Sequence, residues 1–407
     1  MKLSTAASKL VGLAFGISLL STPLWAVDWP HWLGPDGDNI TPAGESFNPD
    51  LSKWNIAWKT NIGLGYSSVA VADGRAYTLG HDGKSHETIF CFDAASGGLL
   101  WKYSYEAQLM PVMHPGGPNA TATVLGNHLF TVSTDGQAFC FSADHGEKIW
   151  RADLVTVMGV KLPQWGFASS PVVLGNNVLF SAGKVAALDA ATGNLAWISK
   201  GDYPPAYTTT VPFQSDGQSL IAALDANGLS ILSAKDGSEI ARHPFASTFN
   251  LNATTPFVLE QGKKVFISGN ASSEMLGFDG HNLANLWTSK DIKNSMNNSV
   301  ILDGAIYGID GGQNNNNSRL VSVNLADGKP NWAKPSFGFG NTIGVGSLIL
   351  AMNESGELVT IKPSPQAYNE ISRLQVLGKL CWTTPTYAGG RIYVRNDKGD
   401  VACLSLP

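Results

Sequence analysis

Three short stretches of this 407-residue chain carry side chains that could do chemistry. LMPVMHPGGP at 109–118 brings Met110, Met113 and His114 together. Thioether and imidazole are the soft donors that select copper, but one His and two Met fall short of a ligand set, and the prolines favour a packed loop. DGDN at 36–39 sets Asp36 and Asp38 at alternate positions, as a Ca²⁺ loop begins. Ile40 then occupies the next alternate position and the later Gly and bidentate Glu are missing, so the stretch reads as an Asp-Gly turn. His81 and His86 flank a hairpin turn and read as solvated. No nucleophile elbow, HExxH, phosphate loop or paired-carboxylate signature occurs. No catalytic residue is assigned, and no metal site is expected.

The elements that would position any site must suit an unusual composition. Charged residues are 14% of the chain and there are 44 Gly, where about a quarter charged is typical. That balance suits short strands and tight turns. The net charge of −5, with no basic stripe, argues against a nucleic-acid partner. Residues 1–26 have the layout of a secretory signal peptide: Lys2 and Lys9, then LVGLAFGISLL, then STPLWA. No Cys lies near the expected cleavage after Ala26, and no other apolar run is long enough to span a bilayer. The expectation is a soluble monomer, periplasmic or secreted, with no integral membrane segment once the leader is removed.

The organising feature is a phrase written repeatedly: CFDAASGGLLW (91–101), CFSADHGEKIW (140–150), ALDAATGNLAW (187–197), GFDGHNLANLW (277–287) and SVNLADGKPNW (322–332). A small residue comes first, Asp, Ser or Asn third, usually Gly seventh and Trp last. Trp101, Trp150 and Trp197 stand 49 and 47 residues apart, and the next gap of 90 hides a degenerate copy, ILSAKDGSEIA at 231–241. Upstream of each copy is a Ser/Thr/Asn cluster and two runs of period-two alternation joined by a DG, GN or QG turn, the pattern of a hairpin. Four strands per unit of about 45 residues is the signature of a propeller blade. The expected fold is all-β, an eight-bladed β-propeller of four-stranded antiparallel blades. Residues 27–53 form an N-terminal extension packing on a propeller that spans 54–407. WNIAWKT (54–60) should complete the C-terminal blade, which begins at 381, and close the ring.

The phrase itself reads as architecture. Gly97, Gly146, Gly193, Gly237 and Gly328 permit positive φ at the corner, leaving Trp58, Trp101, Trp150, Trp197, Trp287 and Trp332 free to pack onto the next blade. Cys91, Cys140 and Cys403 take the first position, as Ala187, Gly277 and Ser322 do elsewhere, so they read as small buried thiols spaced too far apart for disulfides. Cys381 has no evident partner.

The A-x-D-x-x-T-G-x-x-x-W pattern is similar to the tryptophan-docking motif of quinoprotein dehydrogenases, the PQQ-type propellers, and resembles the repeat of the outer-membrane assembly factor BamB. WPHWLGPDGDN (29–39), LPQWGFASSPVV (162–173) and CWTTPTYAGGRIYVRND (381–397) further resemble bacterial PQQ-binding-like propeller proteins. The dehydrogenase resemblance implies PQQ, Ca²⁺ held by acidic and Asn ligands, a catalytic Asp and a vicinal Cys pair. This sequence has no adjacent cysteines. The BamB resemblance implies a scaffold that binds no quinone, here without its lipid-attachment Cys.

Loops entering the innermost strands line one mouth of a propeller channel, a natural concave site. They supply Tyr66, Ser67, Asn119, Trp165, Phe167, Tyr207, Asn252, Asn297, Asn298, Asn341 and Trp382, with His114 on the loop before the second blade. The set is aromatic, amide-rich and uncharged. The expected function is an exported binding or scaffold module that recognises a protein, peptide or glycan at that mouth, with no cofactor. The alternative is a small oxidoreductase using PQQ with Ca²⁺.

Overall fold

The computed structural model describes residues 27–42, 47–312, 317–378 and 380–407. The leader read at 1–26 and the centre of the polar loop at 311–319 lie outside them. Eight sheets follow one another along the chain, each a meander of antiparallel strands, as the alternation requires. The first blade shows the pattern: Ala70–Ala72, Arg75–His81, His86–Asp93 and Leu99–Glu106. The last blade borrows its outer strand. Asn55–Asn61 pairs antiparallel with Asp400–Ser405, setting Trp58 opposite Cys403. The ring is an eight-bladed propeller closed by its N-terminal strand, which supplies the outer strand that the last blade lacks. Among the described residues no helix is long and apolar enough to cross a membrane.

Closure has a second fastening. Arg395 of blade 8 is fully buried and donates to the carbonyls of Ser67 at 2.9 Å, Leu79 at 2.5 Å and Gly63 at 3.3 Å on the blade 1 side. Burial lowers its pKa to about 9, which leaves the guanidinium cationic at neutral pH.

Between blades, the Trp of one outer strand lies on the corner of the next. Gly193 shows why a side chain is excluded there: φ is +73° and a Cβ would come within 2.7 Å of the Trp150 ring. The same approach joins Trp58 to Gly97, Trp101 to Gly146, Trp197 to Gly237 and Trp287 to Gly328. The indole N–H groups of Trp58, Trp101, Trp150 and Trp287 donate to carbonyls of the following corner at 2.9–3.1 Å. Trp332 instead donates to Ser364 O at 2.7 Å, where no Gly corner exists. One assignment within the repeat changes. Opposite Trp287 stands Met275 and not Gly277, because the hairpin of blade 5 closes around residues 279–282 and lengthens its strands. All four cysteines are buried free thiols.

Seven sheets have four strands. Blade 7 has a fifth, because Ile40–Thr41 pairs parallel with Gly344 and Val345 on its inner edge. This is one contact of an extended run of the N-terminal segment. Trp29 exchanges backbone hydrogen bonds with Val71 of blade 1 (2.9 and 2.8 Å), and Pro30 O accepts from Val124 N of blade 2. Trp32 Nε1 donates to Thr255 Oγ1 beside blade 5 at 2.9 Å. Asn39 Nδ2 donates to Ser299 O and Thr342 O, and Val27 O accepts from Gly389 N of blade 8. A short segment can touch the inner edges of so many blades only by lying across the axis. It does so at the end where the inner strands leave, near Asp73 and Gly389, which is opposite the mouth identified from the sequence. Asp36 and Asp38 belong to this segment, where Asp38 Oδ1 accepts from Ile40 N as in a plain turn.

Candidate functional site

The N-terminal segment makes the central channel a blind well. The cavity has a volume of about 830 Å³, and Trp32 reaches it from the closed end. Tyr66 and Trp382 lie side by side in its wall, centroids 5.7 Å apart at 17°, and His114 meets Tyr66 edge-on at 5.2 Å. Across the well, Trp165 and Tyr207 form a second edge-to-face pair at 5.5 Å. Trp165 is held by its indole N–H, which donates to Val112 O at 3.0 Å, so the 109–118 loop serves as a brace for the aromatic wall. Asn119 and Asn341 are present too. The amide of Asn119 donates to Trp165 O and that of Asn341 to Trp382 O, so both orient aromatic neighbours.

Not every mouth residue expected from the sequence reaches the cavity. Asn252, Asn297, Asn298, Ser67 and Phe167 are buried behind its wall. Asn252 donates to Asp225 O, Asn297 to Ile309 O and Gly340 O, and Asn298 to Thr255 O. Ser and Thr continue the same ring of contacts: Ser68 N to Thr121 Oγ1, Thr121 N to Ser170 Oγ, Ser170 N to Thr209 Oγ1. Backbone groups at the axis have no further strand to pair with, so side chains from the next blade satisfy them. That need claims half of the polar cluster. His81 also departs from expectation: it is fully buried, bonded to Ala107 O and to the amide of Gly83.

Sequence reasoning missed Trp32, Phe249, Lys293 and Met296 and read Met113 only as part of a packed loop, yet all five line the well. Met113 and Phe249 are the most exposed large apolar side chains described, at 85% and 86%. Both stand in left-handed backbone, φ +61° and +63°, a conformation that costs bulky residues about 1–2 kcal/mol. For Lys293 a signal was available. It lies in the loop entering the inner strand of blade 6, the same class of loop that pointed to Asn297.

The electrostatics are simple. Among the described residues no Asp or Glu lines the cavity. Burial lowers the pKa of His114, which is therefore neutral at pH 7. Burial raises that of Tyr66, with Asp397 adding to the effect, and it stays a phenol. Among the described residues Lys293 is the one formal charge on the wall. Its ammonium lies 3.8 Å from Asp310 Oδ1, while Asp310 Oδ2 already takes Arg319 Nε at 2.8 Å. Among the described residues no group of three or more His, Cys, Asp or Glu could hold a metal ion. The geometry can bind a largely apolar, flat-faced guest, with His114 as the only imidazole and no carboxylate among the described lining residues. A second cavity, beside Lys184 and Asp225, measures about 20 Å³ and has room for a water.

Residues 85–334 match the family model described as outer membrane protein assembly factor BamB. Quinohemoprotein alcohol dehydrogenase ADH-IIG of Pseudomonas putida is 25% identical over 227 residues, which cover 46% of this chain and 30% of the relative. The chain thus spans under a third of that relative's length. Among solved structures, BamB from Moraxella catarrhalis superposes with a TM-score of 0.63 at 16% identity, covering 86% of this chain and 99% of the other. Quinohemoprotein alcohol dehydrogenase from Comamonas testosteroni gives 0.69 at 12% identity, covering 93% and 80%. At such identities the superpositions speak for the fold alone.

Proposed function

The chain belongs to the family of outer membrane protein assembly factor BamB, and on that premise we propose that it is an exported, monomeric binding propeller that holds a segment of a protein, peptide or glycan in the blind well. The observation that carries this reading is the make-up of the well, whose wall is aromatic on two sides and carries amides but no carboxylate. Aromatic faces bury large area at small entropic cost, and their edges orient what stacks on them. Asn119 and Asn341 fix those rings before a guest arrives, which lowers the ordering cost of binding. The leader-like segment at 1–26 and the family's outer-membrane description support an envelope setting.

The residues present do not fit a calcium-held quinone. Ca²⁺ favours carboxylate and carbonyl oxygens, and the wall supplies amides without an acid. Among the described residues the wall also lacks a carboxylate to take a proton from an alcohol, and the imidazole it does carry, His114, already accepts at Nδ1 from Gly116 N at 3.1 Å. The test is a titration of the leader-free chain with PQQ and Ca²⁺, read by melting temperature and Trp fluorescence. No shift is expected at millimolar cofactor. A saturable rise needing both components would overturn the binding reading in favour of an oxidoreductase, since a ligand at a hundred times its Kd adds about 2.7 kcal/mol.

A further inference from the structure

The well is nearly uncharged, and the exception is informative. Lys293 lies in its wall with no hydrogen bond to its ammonium recorded among the described residues and a 3.8 Å approach to Asp310. Asp310 cannot balance it alone, because Arg319 already occupies its other oxygen at 2.8 Å. Two cations therefore share one carboxylate, and a net positive charge faces a cavity otherwise walled by rings and amides. A cation in such a place attracts an anion strongly, because low-dielectric walls weaken screening. Only one anionic group can be neutralised, so a polyanion would leave charge stranded against Trp32, Trp165 and Trp382.

We infer that the well recognises a single carboxylate attached to an aromatic body, the acid on Lys293 and the ring between the Trp165–Tyr207 and Tyr66–Trp382 pairs. Such a group could be a free aromatic acid or the C-terminal end of a polypeptide finishing in an aromatic residue. The rim favours the polypeptide. Met113 and Phe249 project at 85% and 86% exposure, giving a chain that leaves the well two apolar contacts outside it, where a small acid would use neither. This inference rests on the well being the binding site.

The experiment uses two matched pairs of probes on the leader-free chain: N-acetyl-phenylalanine and its amide, and an uncharged hexapeptide ending in phenylalanine as the acid and as the amide. Binding is followed by Trp fluorescence and calorimetry. Each acid should bind about ten- to a hundredfold tighter than its amide, the range of a charge-assisted hydrogen bond. The advantage should shrink with added salt and vanish in Lys293→Met. A peptide acid at least tenfold tighter than the free acid identifies a polypeptide end; equal affinities identify a small acid. Acid and amide binding alike would overturn the carboxylate inference while leaving the well as a binding site. If neither form of either probe binds at millimolar concentration, the carboxylate inference falls and the well is no site for an aromatic peptide end. The acid–amide comparison stands even if Lys293→Met does not fold.

Discussion

The seam between blades 2 and 3 and the seam between blades 7 and 8 meet the same physical demand in different ways. At the first, Trp150 lies on Gly193 and joins Phe130, Val178 and Phe180 in one buried cluster. At the second, blade 7 carries Ser372 where six of the other blades carry Trp, opposite Thr360. The gap is filled from more than three hundred residues away. Leu51 N donates to Ser372 Oγ, Thr360 Oγ1 donates to Pro49 O, and Leu51 and Trp54 bury themselves beside Tyr387. The seam between blades 4 and 5, with Ala241 at the same station, uses apolar packing of Ile231, Leu276 and Phe278. A blade interface needs a filled apolar volume, and the repeat's Trp is one of several ways to supply it.

Three measurements break or sharpen that contrast. The largest effect is expected from Trp150→Ala, which removes a docked ring and leaves a cavity. A loss of about 3–5 kcal/mol in denaturant or thermal unfolding should follow. Leu51→Ala should cost about 2–5 kcal/mol despite lying outside the repeats. An effect under 1 kcal/mol would mean that the N-terminal segment merely covers the seam. The smallest effect concerns the seam between blades 1 and 2, where a carboxylate is buried. Glu87 accepts from Thr134 N at 3.0 Å and from Tyr105 O–H at 2.9 Å, and also from Thr134 Oγ1. Desolvation raises its pKa from 4.5 to about 7, partly offset by those donors. Between those values the native chain holds a proton that the unfolded chain releases, so stability falls as pH rises through the window. Melting from pH 4 to 8 should lose up to about 3 kcal/mol from this group, and Glu87→Gln should flatten the profile.

The two ends of the channel differ in how readable they were. At the open mouth, Tyr66, Asn119, Trp165, Tyr207, Asn341 and Trp382 stand where the loop positions placed them, because each lies in the loop entering a repeated inner strand or at that strand's start. Asn252 and Asn297 lie in the same class of loop and yet sit behind the wall. All four amides donate to carbonyls, Asn252 and Asn297 to Asp225 O and Gly340 O and Asn119 and Asn341 to Trp165 O and Trp382 O, and no feature of the residue type separates an amide that lines the well from one buried behind it. The closed end was unreadable. WPHWLGPDGDN has neither period, and its partners lie far along the chain, as for Asn39 Nδ2 and Thr342 O at a separation of 303 residues.

By itself the sequence determined the blade, the number of blades and the closure of the ring. These depend on alternation along each strand and on recurrence of one corner, both of which are local. Tertiary structure alone decided that the N-terminal segment crosses the axis, that Trp32 becomes a floor, and that Lys293 faces a well without acids. A cavity is the space left between surfaces brought together from distant parts of the chain. Its charge depends on which side chains neutralise one another there, and that pairing is set only when the ring has closed.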